Sequence, residues 1–433
     1  MPTIAGIPYI EAEFDKTGAL KDNVTVPHDT TDLIVMSHGW NNDSTAARAL
    51  YQAFFANLAA AKPDLPGRKL AIVGVIWPSK KFDQLIGVAG NPGGAGGSAG
   101  IGGDDAASRQ EIEAKLEQMK ELFTAPDQQK KLDEAKALVG DLNDKASARR
   151  EFSEKIRSLL DPSAAHREDA SDTFFKEDGN ELMKSLKIAD DDLGDDIKEA
   201  SGSASMPLGI GGGAKADGGA AGLGKWLGGF ASSAWNLLNY TTYFEMKTRA
   251  GNVGKNGVAR VIDQLAPKVQ RIHLIGHSFG GRVVTAAAAS STTDKIKTMS
   301  LLQTAFSHNG FSKSMKGFFR SVVDQQRVHG PILITYTKND KAVGMAYPLA
   351  SRINGDKTAA FGDENDVFGG LGRNGAQQMQ AGETVAGKLL DSSANYRFVA
   401  GKLFNLESSQ FIRDHGDVAG KEIARAVRLA MAS

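Results

Sequence analysis

The sequence predicts an α/β fold in which a mostly parallel central sheet is flanked by helices and interrupted by a large, mainly helical insertion. Three observations carry this expectation. Continuous apolar runs at Leu33 to Met36, in KLAIVGVIW (69–77) and in RIHLIGH (271–277) have the texture of strands buried on both faces. Segments with helical spacing alternate with them, as a parallel sheet with right-handed crossovers requires. Two tracts, residues 90–103 at more than half glycine and residues 209–224 at about half, bracket a highly charged stretch with a helical period of its own.

Taken in order, residues 7–26 alternate apolar and polar on either side of Asp15-Lys16-Thr17-Gly18 and read as a hairpin closed by a glycine turn, an antiparallel edge. DLIVMSHGWNND follows, a buried-type strand running into Ser37-His38-Gly39-Trp40, after which Asn41 to Ser44 can cap a helix through Ala61. The strand KLAIVGVIW ends at Pro78. These residues, 1–81, make the first part of the core. Residues 82–245 form the insertion, and residues 246–433 the second part of the core.

Within the insertion Ile112, Leu116, Met119 and Phe123 share one helical face, Leu132, Ala135 and Val139 another, and Phe152, Ile156 and Leu159 a third. Three or more amphipathic helices, joined through glycine-rich linkers, are therefore expected. The charge runs, such as Asp190 to Asp192, are solvated faces, and the segments are too short and interrupted for a sustained coiled coil. After the second glycine tract comes LGKWLGGFASSAWNLLNYTTYFEMKTRAG, rich in aromatics for a chain that is 7% aromatic overall. Trp226, Phe230 and Trp235 are candidates to line an acyl pocket or touch lipid, against the plainer expectation of a helix packed between cap and sheet.

In the second part of the core, KIKTMSLLQTAF and GPILITYTKNDKAV read as further strands, the latter ending in Asn339-Asp340. Residues 354–382 read as a long surface loop, in which Asp363, Glu364 and Asp366 lack the spacing of a calcium-binding loop. YRFVAGKLFNLES reads as the last strand, followed by FIRDHGDVAG and a closing amphipathic helix.

Composition narrows the function. In 433 residues, Lys plus Arg and Asp plus Glu stand at 51 each, a balance that argues against nucleic acid or an anionic membrane surface as the main partner. With no cysteine, disulfides, thiolate metal sites and cysteine nucleophiles are excluded. No metal or cofactor is implied. The N-terminal stretch lacks the basic start and apolar core of an export signal, and no apolar run reaches the ~20 residues of a membrane span. A cytoplasmic protein is the default expectation, with export by a signal-independent route left open, and oligomeric state is not legible.

The chemistry centres on Gly276-His277-Ser278-Phe279-Gly280-Gly281, standing between the RIHLI strand and an alanine-rich helix. A serine at the apex of such a strand–turn–helix must take a strained backbone conformation, so the residues two before and two after must be small, as Gly276 and Gly280 are. The turn projects the serine hydroxyl at the carboxyl edge of the sheet beside a helix N-terminus, whose N–H groups favour negative charge. This stretch resembles the nucleophile elbow of the α/β-hydrolase family.

The resemblance covers residues 32–81 and about 246–433, and SHGWNND, IGHSFGGR and TKNDKAV together look like a bacterial branch of serine hydrolases. In that family the chain order is serine, acid, histidine. Asp340, directly after an apolar strand, is the candidate acid, with Asp417 as second choice. Of eight histidines only His415 follows Asp340, which makes it the candidate base. His308 also follows a strand but precedes Asp340, and is left as a pocket residue; His277 occupies the variable elbow position and is expected to pack there. The His38-Gly39 pair resembles the family's oxyanion turn, in which Trp40 would lend its backbone N–H beside that of Phe279, with the Trp40 side chain as a wall of the acyl site.

The resemblance thus implies a Ser278-Asp340-His415 triad and a carboxylesterase or lipase acting on a small-molecule or lipid ester, with amidase and thioesterase chemistry open to the same residues. The alternative from another class is a catalytically silent member of the fold that recruits a partner through the helical insertion. The insertion, placed before the nucleophile strand, departs from the common plan, and the sequence leaves a mobile lid above Ser278 and a rigid decoration equally open.

Overall fold

The structure, a computed structural model, describes residues 1–79, 105–187, 229–340, 353 and 367–433. The chain divides into two compact units, one of residues 1–81, 246–344 and 360–433, the other of residues 82–245 and 345–359.

The first unit is built on a nine-stranded sheet in the order β1-β2-β4-β3-β5-β6-β7-β9-β8. Its strands are β1 (Thr3–Ile4), β2 (Ile7–Glu13), β3 (Asp32–Ser37), β4 (Leu70–Ile76), β5 (Arg271–His277), β6 (Ile296–Leu302), β7 (Ile332–Tyr336), β8 (Thr384–Lys388) and β9 (Leu403–Glu407). Only β1 pairs antiparallel, with β2; every other pairing is parallel. Helices flank the sheet, so the molecule is α/β. One face is covered by α1 (Ser44–Ala60) and by the closing helix Lys421–Ala432, whose Phe54, Phe55, Leu58, Ile423 and Val427 pack with Ile34, Met36, Ile275, Leu302 and Leu333 of the strands. Each such fully buried side chain contributes about 1.5–3 kcal/mol relative to exposure. The helix Phe279–Ser290 packs on β3, β5 and β6, and a π-helical turn at Val253–Val258 packs against it in turn.

The expected N-terminal hairpin is corrected. β2 runs parallel to β4 from Tyr9 to Glu13, and the antiparallel edge is the short β1, turned back through Ala5 and Gly6, both at positive φ. The Asp15–Gly18 turn forms, but its second arm contributes only the isolated pair Phe14–Leu20. The reason is local: one edge of β2 is filled by β4, and the arm continues into Lys21, Asp22 and Asn23, of which Asp and Asn are poor strand formers. The last strand is also shorter than expected, starting at Leu403 just after Gly401, which adopts φ +73°.

At the amino ends of the strands lies a buried polar cluster. Asp32, fully buried, accepts a fork of bonds from Arg271 at 2.7 and 3.0 Å and one from His273 Nε2 at 3.3 Å. Thr298 lies 2.8 Å from His273 Nδ1, and Arg68 stands 3.5 Å from Asp32. The cluster staples β3, β5 and β6 at the end remote from their carboxyl termini.

The second unit contains α2 (Asp105–Met119), α3 (Pro126–Leu138) and α4 (Ala146–Arg157), followed by shorter helical turns. Its apolar faces are buried, Ile112, Leu116, Met119 and Phe123 on the first, Leu132, Ala135 and Val139 on the second, Phe152, Ile156 and Leu159 on the third. The helix Phe230–Asn252 begins in this unit, where the Arg149 guanidinium sits 3.9 Å above the Phe230 ring and Lys115 Nζ 3.9 Å above Trp235. Among the described residues no helix is long and apolar enough to cross a membrane, and no group of three or more His, Asp or Glu could hold a metal ion.

Candidate active site

The strand order determines where a site can form. The connection from β3 leads to β4 on one side, while β5 adds on the other, so the carboxyl ends of β3 and β5 open side by side at a switch point of the sheet. Ser278 stands there, between β5 and the helix Phe279–Ser290, with φ 55° and ψ −126°. A non-glycine residue held at such a positive φ costs of the order of 1–3 kcal/mol, and persists only where its surroundings fix it. They do: Ser278 N–H donates to Leu302 O at 3.1 Å, and Ser278 O accepts from Gly281 and Ala305 at 3.0 and 3.1 Å. The glycines are required by close approach. A Cβ on Gly276 would meet the Gly281 backbone, and one on Gly280 would run into the Ser37 and His38 carbonyls.

The turn after β3 faces this elbow. A Cβ on Gly39 would lie 2.5 Å from Ser278 Cβ and 3.1 Å from its Oγ. His38 is buried, and its N–H donates to the Tyr51 hydroxyl at 2.9 Å while its carbonyl accepts from Trp77 Nε1 at 3.0 Å. His38 Nδ1 lies 2.9 Å from Gly39 O, so it carries the proton, and burial pushes the imidazole down to about 4, keeping it neutral. Gly39 O also accepts from Asn42 at 3.4 Å. In a trans peptide the N–H points opposite the carbonyl. Anchoring Gly39 O therefore turns the Trp40 N–H the other way, and it has no acceptor among the described residues. The Trp40 ring meets Phe279 edge-on at 5.9 Å.

Two further loops complete the arrangement. β7 runs on into the turn of residues 337–340, and Asp340, fully buried, places Oδ2 2.8 Å from His415 Nδ1. Burial pushes the His415 pKa down, but the Asp340 carboxylate, by charge and by hydrogen bond, outweighs it, and the net shift is upward. With Nδ1 bound to Asp340, Nε2 is the nitrogen left for proton transfer. His277, beside the serine, is packed as expected and also does more: its Nε2 donates to His415 O at 2.8 Å and its ring lies 4.9 Å from the His415 ring. Burial holds His277 at about 3, so it stays neutral. No hydrogen bond joins Ser278 Oγ to His415.

Other candidates stand apart. Asp417 pairs with Arg413 at 3.2 Å and shapes the histidine loop. His308 is buried with Asn374 Nδ2 3.1 Å from its Nδ1, and its N–H donates to Gly369 O. Phe230 and Trp235 lie in the helical unit, under Arg149 and Lys115. Trp226, Asp190 to Asp192, Asp363, Glu364, Asp366 and the glycine tracts fall outside the described residues. Sequence reasoning did not find Asn339, whose Nδ2 donates to Ile412 O at 2.8 Å and Ser409 O at 3.2 Å, or Gln303, whose Nε2 reaches Asp417 O at 3.4 Å. The Asn-Asp pair closing a strand was the available signal for the first; none marked the second.

Comparison with family models, curated proteins and solved structures returned no match for this chain.

Proposed function

We propose that the chain is a serine hydrolase of the α/β-hydrolase type that cleaves carboxylic esters through an acyl-enzyme. The observation that carries the reading is the 2.8 Å contact between Asp340 and His415, made in the order serine, acid, histidine around a strained Ser278 at the end of a central parallel strand.

In this reading Ser278 Oγ attacks the ester carbonyl carbon as His415 Nε2 takes its proton, and the oxyanion is held by the backbone N–H groups of Trp40 and Phe279. Collapse expels the alcohol, which takes the proton from His415. Water activated by His415 then attacks the acyl carbon, and the acid leaves with Ser278 restored. Asp340 keeps the imidazole in the tautomer with Nε2 open and stabilises the imidazolium formed in each half-reaction. The tethered Gly39 carbonyl supports the oxyanion role, because it fixes the Trp40 N–H before substrate arrives.

Labelling with a fluorophosphonate and hydrolysis of a p-nitrophenyl ester series of increasing acyl length test the reading together. Both activities present in the native chain and absent from Ser278→Ala support it. A native chain inert to both favours the silent, partner-recruiting protein instead, a reading with which the unmade Ser278–His415 bond is consistent.

A further inference from the structure

The loop bearing His415 has no ladder of its own to hold it. Residues Ser408 to Ala419 form neither strand nor long helix, yet their carbonyls are taken one after another by side chains from three neighbouring strand ends. From the end of β5, His277 Nε2 donates to His415 O at 2.8 Å. From the end of β6, Gln303 Nε2 reaches Asp417 O at 3.4 Å, while Gln303 Oε1 is itself held by Thr335 Oγ1 at 2.7 Å. Past the end of β7, Asn339 Nδ2 donates to Ile412 O at 2.8 Å and to Ser409 O at 3.2 Å. His277 is the neighbour of Ser278, and Asn339 the neighbour of Asp340. Thus the serine segment, the acid segment and the loop of the histidine are tied to one another through side chains whose hydrogen bonds go to backbone carbonyls and not to the reacting atoms.

Resting on the proposed hydrolase reading, we infer that His277, Gln303 and Asn339 act as a carbonyl clamp: positioning residues that hold the His415 loop so that Nδ1 stays on Asp340 and Nε2 is presented to Ser278. His277 and Gln303 are buried to within about a hundredth of their surface, at 1% and 0% exposed, so solvent cannot take over their donor role when they are replaced. A histidine that only filled space beside the nucleophile would need no donor. Here its proton sits on the nitrogen facing the base's own carbonyl, and its ring packs against that of His415 with 4.9 Å between centroids.

Two substitutions at His277 separate positioning from packing. His277→Phe keeps a planar ring and removes the donor; His277→Gln restores an N–H within similar reach. For p-nitrophenyl butyrate the clamp predicts a kcat loss of about 10²-fold in His277→Phe with KM little changed, as a misplacement near 1 Å brings, and recovery of most of it in His277→Gln. Gln303→Glu and Asn339→Asp, near-isosteres that set a carboxylate against a carbonyl, should lose kcat in the same sense and serve if the phenylalanine variant does not fold. The low-field proton resonance of His415 Nδ1–H, identified by its loss in His415→Ala, reads the same geometry without turnover. It should shift or broaden in His277→Phe and return in His277→Gln. Equal kcat losses in His277→Phe and His277→Gln, or an unmoved resonance in the folded donor-deleting variants, overturns the clamp. A native chain with the resonance but without ester cleavage or fluorophosphonate labelling overturns the hydrolase reading and leaves the clamp to be judged on the resonance.

Discussion

Asp340 and His415, 75 positions apart in the chain, meet at 2.8 Å because parallel pairing of β7 with β9 brings the turns after both strands to the same edge of the sheet. The contact has a direction in pH. The carboxylate stabilises the imidazolium, so His415 loses its proton at higher pH than an ordinary histidine, whose value is near ~6.5. A base must be neutral to accept the serine proton. kcat/KM for ester cleavage should therefore rise with pH through an apparent pKa above the ordinary histidine value, and Asp340→Asn should move that limb down while lowering kcat by about 10⁴-fold. A pH–rate profile of both proteins checks the sign; a limb that moves upward in Asp340→Asn contradicts it.

His415 and His308 should behave differently. His415→Ala should abolish the ascending limb together with most turnover, whereas His308→Gln, at a site tied to Asn374 and Gly369, should keep the limb in place. The reverse pattern would transfer the base to His308 and require a different acid.

Stability should depend on the opposite end of the strands. Burial favours the neutral form of Asp32, but hydrogen bonds from His273, Arg271 and Thr31 outweigh it and hold the carboxyl well below the usual range. A depressed acid contributes stability above its unfolded value, near ~3.9, and loses it as pH falls through the folded one. Asp32→Asn should thus destabilise by about 3–5 kcal/mol at neutral pH, the usual effect of breaking a buried pair, and the gap to the native protein should narrow below about pH 4. Urea unfolding at several pH values measures it, and a gap independent of pH would mean that the ion pairs are not its source.

Gly280→Ala tests the close approach of the helix Phe279–Ser290 to the Ser37 and His38 carbonyls. Backbone atoms cannot swing aside as a side chain can, so overpacking of about 1–3 kcal/mol is expected. The displaced turn carries Trp40, and fluorophosphonate labelling should slow with the fall in melting temperature. Unchanged labelling and melting would show that the approach has room to spare.

What was legible in the sequence follows from range. The elbow is a local motif, with strand, glycines, serine and helix inside about twenty residues, Asp340 is marked by standing directly after an apolar strand, and His415 by being the one histidine after it. β8 was not seen, because Ala386 to Lys388 are exposed and the strand carries neither alternation nor an apolar run. β2 was given the wrong partner, since periodicity shows that a segment is a strand and not which edge it joins. The clamp lay out of reach for a similar reason: His277 and His415 O are 138 positions apart, Gln303 and Asp417 O 114, and Asn339 and Ile412 O 73, and no pattern in one segment reports a carbonyl in another.

The central claim is that Ser278 is an activated nucleophile. Its most direct measurement is fluorophosphonate labelling of the native chain and of Ser278→Ala, with peptide mapping of the adduct and p-nitrophenyl ester turnover measured alongside. The account predicts a single adduct on Ser278, no label on the variant, and turnover reduced by ~10⁶-fold, to the background of the assay. An adduct on another residue, or an alanine variant that still turns over ester at a rate near the native one, would contradict it.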